Sequence, residues 1–566
     1  MRLLPTRPGW LAAAAALLLA ADPGAAQESA PKPKTGGHEP PRLVIIVVID
    51  QLCPEYLARP ELSAGTLAQL VKGGAYFPDA AHTHTITFTG PGHAAIATGC
   101  LPARAGITGN EWYDREADKI VRCIDDPASP LVGEKLTSTQ PGASVANLER
   151  PTLADVLVDE RDEALVVSVG WKDRSALLLG GRHSDGSYWI DPPSGRWVTG
   201  SAIRPELPVF LRMLCADPVR DAGGSLWEPR LHDGRPDLAP GERPPPGLGA
   251  TFPHQIPRTP APGTDLTAFT ELVASTPFAD AAVGRAACIQ LEHDVPELGV
   301  DDVPDLLCVA FASLDYAGHF FGPESCEVAE VLVALDGQLA VLVERLDAHV
   351  GAGRWTLALT ADHGVQPVPE QSGGRRLDGA AERAALESAL SERFGDPPPR
   401  AGERRPRWIR TVIRPSLWLD QPRIAAARLD AEAVARFTAE SLAGMEGIEH
   451  AATPAQLAAL PADADPDLAA LARDVHPQRS GDVLFLLEPN LILGEDVAAT
   501  HGTQHAADRR VPVLFYGAGI RPGTYPGPAA PLDIAPTLAS LLGLKGLVGV
   551  DGHVLEQALA TAAAAR

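Results

Sequence analysis

The patterned parts of this chain are continuous apolar runs rather than alternating ones. LVIIVVID covers residues 43–50, ALVVSVG 164–170, LLCVAFASLD 306–315, WTLALTAD 355–362, DVLFLLE 482–488 and VPVLFYG 511–517. Runs this short and this rich in Val, Ile and Leu suit strands covered on both faces, as in a parallel sheet. A different period separates them. Val328, Val331, Leu335, Leu339, Leu342 and Leu346 recur at three- and four-residue steps, predicting an amphipathic helix between two of the runs. That strand–helix–strand unit calls for a right-handed crossover. Further helices are expected through Leu67–Val71, over His93–Thr98 and over Asp533–Leu542, the last with a proline near its first turn. The predicted class is α/β, with a mostly parallel central sheet and helices on both of its faces.

Polar residues sit where the runs stop. Asp50 ends the first, Asp315 and His319 follow the third, and Asp362 and His363 follow the fourth. His501 stands alone, shortly before the run 511–517. Singly, each has a plain explanation: an Asp after a strand caps the next helix, and a loop histidine needs no ligand. Jointly they are harder to dismiss, because the carboxyl ends of parallel strands form the ligand crevice of such sheets. Six carboxylate and imidazole ligands exceed what one ion needs. Two ions roughly 3.5–4 Å apart are a common device for moving phosphoryl groups. The pattern therefore points to a metallohydrolase.

The 566 residues allow one large α/β domain with insertions, and an apolar fraction of 45% supports a full core. A net charge of −24 argues against a general nucleic-acid surface. It leaves anionic substrates open, since bound cations reverse the local field. The first 26 residues have the form of a secretory signal: Arg2 and Arg7, the apolar stretch Trp10–Ala21, and Gly24-Ala25-Ala26 before a cut at Gln27. That stretch is short of the roughly 20 residues a span needs, so a retained anchor is the weaker reading and no stable membrane insertion is expected. A periplasmic or secreted location follows. Residues 27–41 form a Pro- and Lys-rich leader, and 42–560 a single catalytic domain with insertions near 190–280 and 371–480. The core is expected to resume at Asp482–Glu488. Seven cysteines are an odd number, and Cys100 with Cys123 is the one pair considered.

Two further segments carry chemistry. Thr85, Thr87 and Thr89 precede the helix expected from His93, where a hydroxyl meets a phosphate well. A nearby metal would make such a hydroxyl an attacking alkoxide. They serve equally as turn formers and caps. Lys172 and Arg174 follow the run 164–170, either as an ordinary charged loop or as a clamp on phosphoryl oxygens.

With Thr-Gly-Pro-Gly-His at 89–93, Gly-Asn-Glu-Trp-Tyr-Asp at 109–114, Lys-Asp-Arg at 172–174 and SLDYAGHFFGPES at 313–325, the chain resembles the alkaline phosphatase superfamily. Its likeness is to the type I phosphodiesterase/nucleotide pyrophosphatase branch, and within it to the exported phosphate-irrepressible alkaline phosphatases of bacteria. The resemblance runs from about Leu43 to Gly543. It implies two zinc ions per chain, one held by Asp315, His319 and His501, the other by Asp50, Asp362, His363 and the Thr89 oxygen. It also implies that Thr89 is the nucleophile, that Asn110 binds phosphate, and that Lys172 and Arg174 mark the monoesterase subgroup. The implied activity is hydrolysis of small phosphate monoesters through a phosphothreonine. A diesterase or nucleotide pyrophosphatase on the same scaffold is the alternative, and a non-catalytic phosphate- or metal-binding protein a third. Gly90-Pro91-Gly92 is smaller than some family versions, which predicts a looser nucleophile turn.

Overall fold

The computed structural model describes residues 40–231 and 234–560; the expected signal and nearly all of the leader lie outside the described residues. Ten strands form the main sheet: β1 (Leu43–Ile49), β2 (Ala75–Phe77), β3 (Leu131–Gly133), β4 (Val166–Gly170), β5 (Gly186–Asp191), β6 (Arg196–Gly200), β7 (Asp305–Phe311), β8 (Trp355–Thr360), β9 (Val513–Gly517) and β10 (Gly523–Thr524). Their spatial order is β10-β2-β9-β8-β1-β7-β4-β5-β6-β3. The centre is parallel, from β8 through β1, β7 and β4 to β5. The flanks are mixed: β9 runs antiparallel to both β8 and β2, β10 pairs parallel with β2, and β6 is antiparallel to β5 and β3. The sheet is thus mixed around a parallel core.

Every residue of β1 is buried, as its unbroken apolar run requires. Its side chains divide by parity, because successive residues of a strand face opposite sides. Leu43, Ile45, Val47 and Ile49 pack with α1 (Thr66–Gly73), α5 (Pro277–Ile289) and α7 (Cys326–Leu346). Val44, Ile46 and Val48 pack with α2 (Thr89–Thr98), α3 (Leu153–Glu160) and α8 (Ile534–Leu542). Two further helices, α4 (Asp173–Gly180) and α6 (Ser313–Phe321), start directly beyond β4 and β7. Val328, Val331, Leu335, Leu339, Leu342 and Leu346 form the buried stripe of α7, as their spacing predicts.

Register places the site. Ile49 stands opposite Phe311, and Val48 opposite Thr360, so β1, β7 and β8 end together. The residues beyond them share one edge of the sheet.

The run Asp482–Glu488 does not return to that sheet. Val483–Leu487 belongs to a second, antiparallel sheet with Ile409–Ile413, Ser416–Leu419 and Ile448–Ala452. Helices 379–394 and 431–443 back this sheet around Trp408, Leu417, Val434 and Phe485. Periodicity identifies Val483–Leu487 as a buried strand, but not which sheet buries it. Cys100 and Cys123 are not paired with each other; both are buried thiols. No helix among the described residues is long and apolar enough to cross a membrane.

Candidate metal centre and nucleophile

Asp50 is the first residue after β1 and is buried. Gln51 then turns the chain at φ 70°, in the left-handed region. That turn aims its backbone N–H at Asp362 Oδ1 (3.3 Å) and its side-chain amide at Asp315 Oδ1 (2.7 Å). Asp315 and His319 share one face of α6, four residues apart, with 3.2 Å between His319 Nε2 and Asp315 Oδ1. Asp280 sets that helix: its Oδ1 accepts the N–H groups of Ala312 and Ser313 at 2.9 and 3.0 Å. Asp362 and His363 lie just past β8, after Ala361, and both are fully buried.

His501 arrives by another route. It precedes β9, and β9 is antiparallel to β8, so the start of β9 lies at the edge where β8 ends. In a parallel β9 the same loop would enter at the far edge. The His501 ring stacks on His363, with centroids 3.5 Å apart.

These residues form two adjoining groups, Asp315–His363–His501 and Asp50–Asp362–His363, whose ligand atoms lie within 4.8 Å of one another. His319 joins the first through Asp315. The donor set fits bound cations. The Nδ1 atoms of His319, His363 and His501 each face a backbone carbonyl, of Ala499, Gly364 and Thr87, at 2.8, 3.0 and 2.7 Å. A carbonyl only accepts, so the proton is on Nδ1 and the Nε2 lone pair is left to bind a metal. Asp50 Oδ1, Asp362 Oδ2 and His363 Nε2 are buried with no hydrogen-bond partner. Buried polar atoms left this way call for a ligand.

Electrostatics agree. Burial, with the charges of Asp315 and Asp362, pushes the Asp50 carboxyl up to about 7. Burial and the neighbouring His363 hold His501 well below its usual value, neutral as a ligand must be. Lys172 Nζ lies 2.6 Å from Asp50 and 2.5 Å from Asp315. Burial opposes its charge, but those two carboxylates outweigh burial and raise its pKa.

The three threonines differ in what they hold. Thr85 Oγ donates to Asp474 (2.8 Å) and Thr87 Oγ to the Thr503 carbonyl (2.8 Å). Thr89 begins α2, and its Oγ receives only a long contact from Arg174 Nη2 (3.4 Å). Asn110 Oδ1 accepts the Gly90 N–H at 2.7 Å, which leaves its amide to donate elsewhere. Arg174 is the second residue of α4, and Lys172 is its N-cap. The turn at Gly90–Gly92 is not loose. A Cβ on Gly92 would strike the Asp362 carbonyl, and one on Gly90 would crowd Asn110 and Cys123.

Gln51 and Asp280 carry no mark in the sequence, and His93 is marked only as the last residue of Thr-Gly-Pro-Gly-His, yet all three bear on the site. His93 is fully buried, with Nδ1 2.9 Å from the Thr89 carbonyl and 3.3 Å from Asp362 Oδ2. In that motif it stands four residues after Thr89, which places both on one side of α2.

The layout is that of a hydrolase scaffold with its ligand groups at the carboxyl edge of an α/β sheet. The model of the type I phosphodiesterase / nucleotide pyrophosphatase family matches residues 44–507, and the chain belongs to that family. Alkaline phosphatase PhoD of Zymomonas mobilis is 31% identical, over 86% of this chain and 83% of that protein. Alkaline phosphatase PafA of Elizabethkingia meningoseptica is 27% identical, over 90% of this chain and 93% of that protein. The crystal structure of wild-type PafA superposes with a TM-score of 0.80 at 26% identity, covering 92% of this chain and 99% of that one. A PafA variant in which a threonine, an asparagine, a lysine and an arginine are replaced together superposes at 0.82, with 25% identity and the same coverage.

Proposed function

We propose that this chain, an enzyme of the alkaline phosphatase class, hydrolyses phosphate monoesters with two zinc ions and a phosphothreonine formed on Thr89. The observation that carries the reading is the constellation Thr89, Asn110, Lys172 and Arg174 beside the two ligand groups. The four residues replaced in the PafA variant have the same types and the same intervals along the chain.

Asp315, His319 and His501 would hold one ion, and Asp50, Asp362 and His363 the other, next to Thr89. Bound there, the ions supply Lewis-acid charge that eases loss of a proton from a hydroxyl and departure of an ester oxygen. Thr89 Oγ attacks phosphorus as the bond to the ester oxygen breaks, releasing the alcohol. Water then cleaves the phosphothreonine, giving phosphate and restoring the hydroxyl. Lys172, Arg174 and the Asn110 amide hold the non-bridging oxygens, and the first turn of α2 adds its backbone N–H groups. Arg174 already reaches Thr89 Oγ, so its fork is placed to take phosphoryl oxygens as they arrive.

The monoester reading is favoured over the diester one by charge. A monoester dianion carries one more negative charge than a diester, and two cations face it. The test is the Lys172→Ala/Arg174→Ala double variant on an aryl phosphate and its methyl diester. Hydrogen bonds to charged groups contribute about 1.5–3 kcal/mol each, so monoester kcat/KM should fall roughly 10²–10⁴-fold. Diester turnover should fall much less. A parallel drop would reduce the pair to a general anchor and return the diesterase reading. Export belongs to the same proposal: the mature chain should begin at Gln27, and N-terminal sequencing of periplasmic or secreted protein checks it.

A further inference from the structure

The second sheet brings one side chain to the rim of the site that the reaction above leaves without a task. Arg414 follows the strand Ile409–Ile413 and turns into Ser416–Leu419. Its guanidinium carbon lies 5.7 Å from the centre of the Phe88 ring. Nη2 donates to the His501 carbonyl at a long 3.5 Å, and Nη1 is buried with no partner. Among the described residues, no carboxylate lies within ion-pair distance of Arg414. Asp508, the acid whose charge it feels, binds the N–H and hydroxyl of Thr503 and the Gln366 amide through Oδ2, and its Oδ1, buried without a hydrogen-bond partner, forms no ion pair with Arg414.

Its surroundings are those of the reaction. Phe88 immediately precedes Thr89, and its ring packs edge-on against His501 with centroids 5.7 Å apart. A Cβ on Gly502 would strike that ring, so Phe88 is held in place. Arg414 is therefore fixed next to the residue before the nucleophile and to a ligand of the first metal group. Lys172, Arg174 and Asn110 already serve the transferred phosphoryl group from other elements. A guanidinium with a buried N–H to spare is a planar fork for a carboxylate or phosphate.

We propose that Arg414 is a specificity-determining residue that binds a second anionic group, carboxylate or phosphate-like, on the alcohol part of the ester. This inference rests on the monoesterase reading. The favoured substrates are then small phosphate monoesters whose leaving alcohol itself carries a negative charge.

The test compares kcat/KM for phenyl phosphate, 3-carboxyphenyl phosphate and 3-(phosphonomethyl)phenyl phosphate, in the zinc-loaded wild type and in Arg414→Gln and Arg414→Lys. The ratio of a charged ester to phenyl phosphate should fall roughly tenfold or more in Arg414→Gln, in line with loss of one charged hydrogen-bonded contact. Arg414→Lys, which keeps the charge and loses the fork, should fall between. A larger fall for the phosphonate assigns the second group as phosphate-like; a larger fall for the carboxylate assigns it as a carboxylate. Ratios that stay put, or three substrates that drop in parallel, overturn the inference while leaving the monoesterase reading in place. Absence of turnover of all three esters by the wild type overturns that reading and this inference with it.

Discussion

Thr89 is set apart from Thr85 and Thr87 by what its hydroxyl lacks. The other two oxygens are tied to Asp474 and to the Thr503 carbonyl, whereas Thr89 Oγ has only Arg174 at 3.4 Å. Thr89→Ala should lower kcat by several orders of magnitude with the metal content preserved, and Thr89→Ser should keep far more activity because a hydroxyl remains. Acid quenching during turnover should trap phosphate on residue 89, read by peptide mass; phosphate on Thr85 or Thr87 would reassign the nucleophile. At this scale the sequence named most of the chemistry, since carboxylates, imidazoles and cations announce themselves at strand ends. It was silent on Gln51 and Asp280, and gave His93 a place in a motif but no contact. Each acts through tertiary contacts to a carboxylate of the ligand groups, or to the backbone that presents one, and such contacts have no spacing to detect.

Between elements, two contacts fix the segment that carries Thr89. The first is the approach of α2 to the end of β8. Gly92 lies against the backbone of Asp362, so a side chain there must push the helix away. Gly92→Ala should reduce kcat about 10²-fold or more, in keeping with an ångström-scale misplacement of a catalytic group. Ala at Gly337, which lies inside α7 and meets no atom within 4 Å, should leave turnover near wild type. The smaller turn that the sequence made look loose is small because two backbones meet there. The second contact is Asp474, which holds the Thr85 N–H (2.6 Å) and hydroxyl through Oδ2 and leaves Oδ1 buried and unpaired. Burial, opposed by the Thr85 hydrogen bonds, pushes its carboxyl up to about 6. A raised folded-state value means that the folded chain keeps a proton the unfolded chain has lost. The stabilisation is full below about pH 4 and disappears as pH rises through about 6. Measured in chelator, to keep metal binding out of the comparison, wild-type stability relative to Asp474→Asn should decline by about 2–3 kcal/mol between pH 4 and 7. A urea-midpoint difference that is flat with pH would show that Asp474 titrates normally.

Across the whole molecule, the two ligand groups gather residues from β1, α6, β8 and the loop before β9, so bound cations tie distant parts of the chain together. Chelation should abolish activity and lower Tm, zinc should restore both, and metal analysis should find close to two ions per chain. Each site filled at about 1,000-fold above its Kd adds about 4 kcal/mol. Full activity in protein shown to be metal-free would overturn the two-ion reading.

What the sequence determined by itself was the α/β class, the strands β1, β4, β7, β8 and β9, the stripe of α7, and which carboxylates and imidazoles stand beyond the strand ends. All of these follow from local periodicity and side-chain chemistry, which a chain carries with it before it folds. Only the tertiary structure decided which way β9 runs and which sheet takes Val483–Leu487. An apolar run looks the same read toward either end, and a buried strand looks the same in either sheet. Yet the antiparallel direction of β9 is what delivers His501 to the edge holding Asp50 and Asp362, and the second sheet is what sets Arg414 beside Phe88. Strand direction and sheet membership are settled by pairing between segments far apart in sequence, and no local pattern records that pairing.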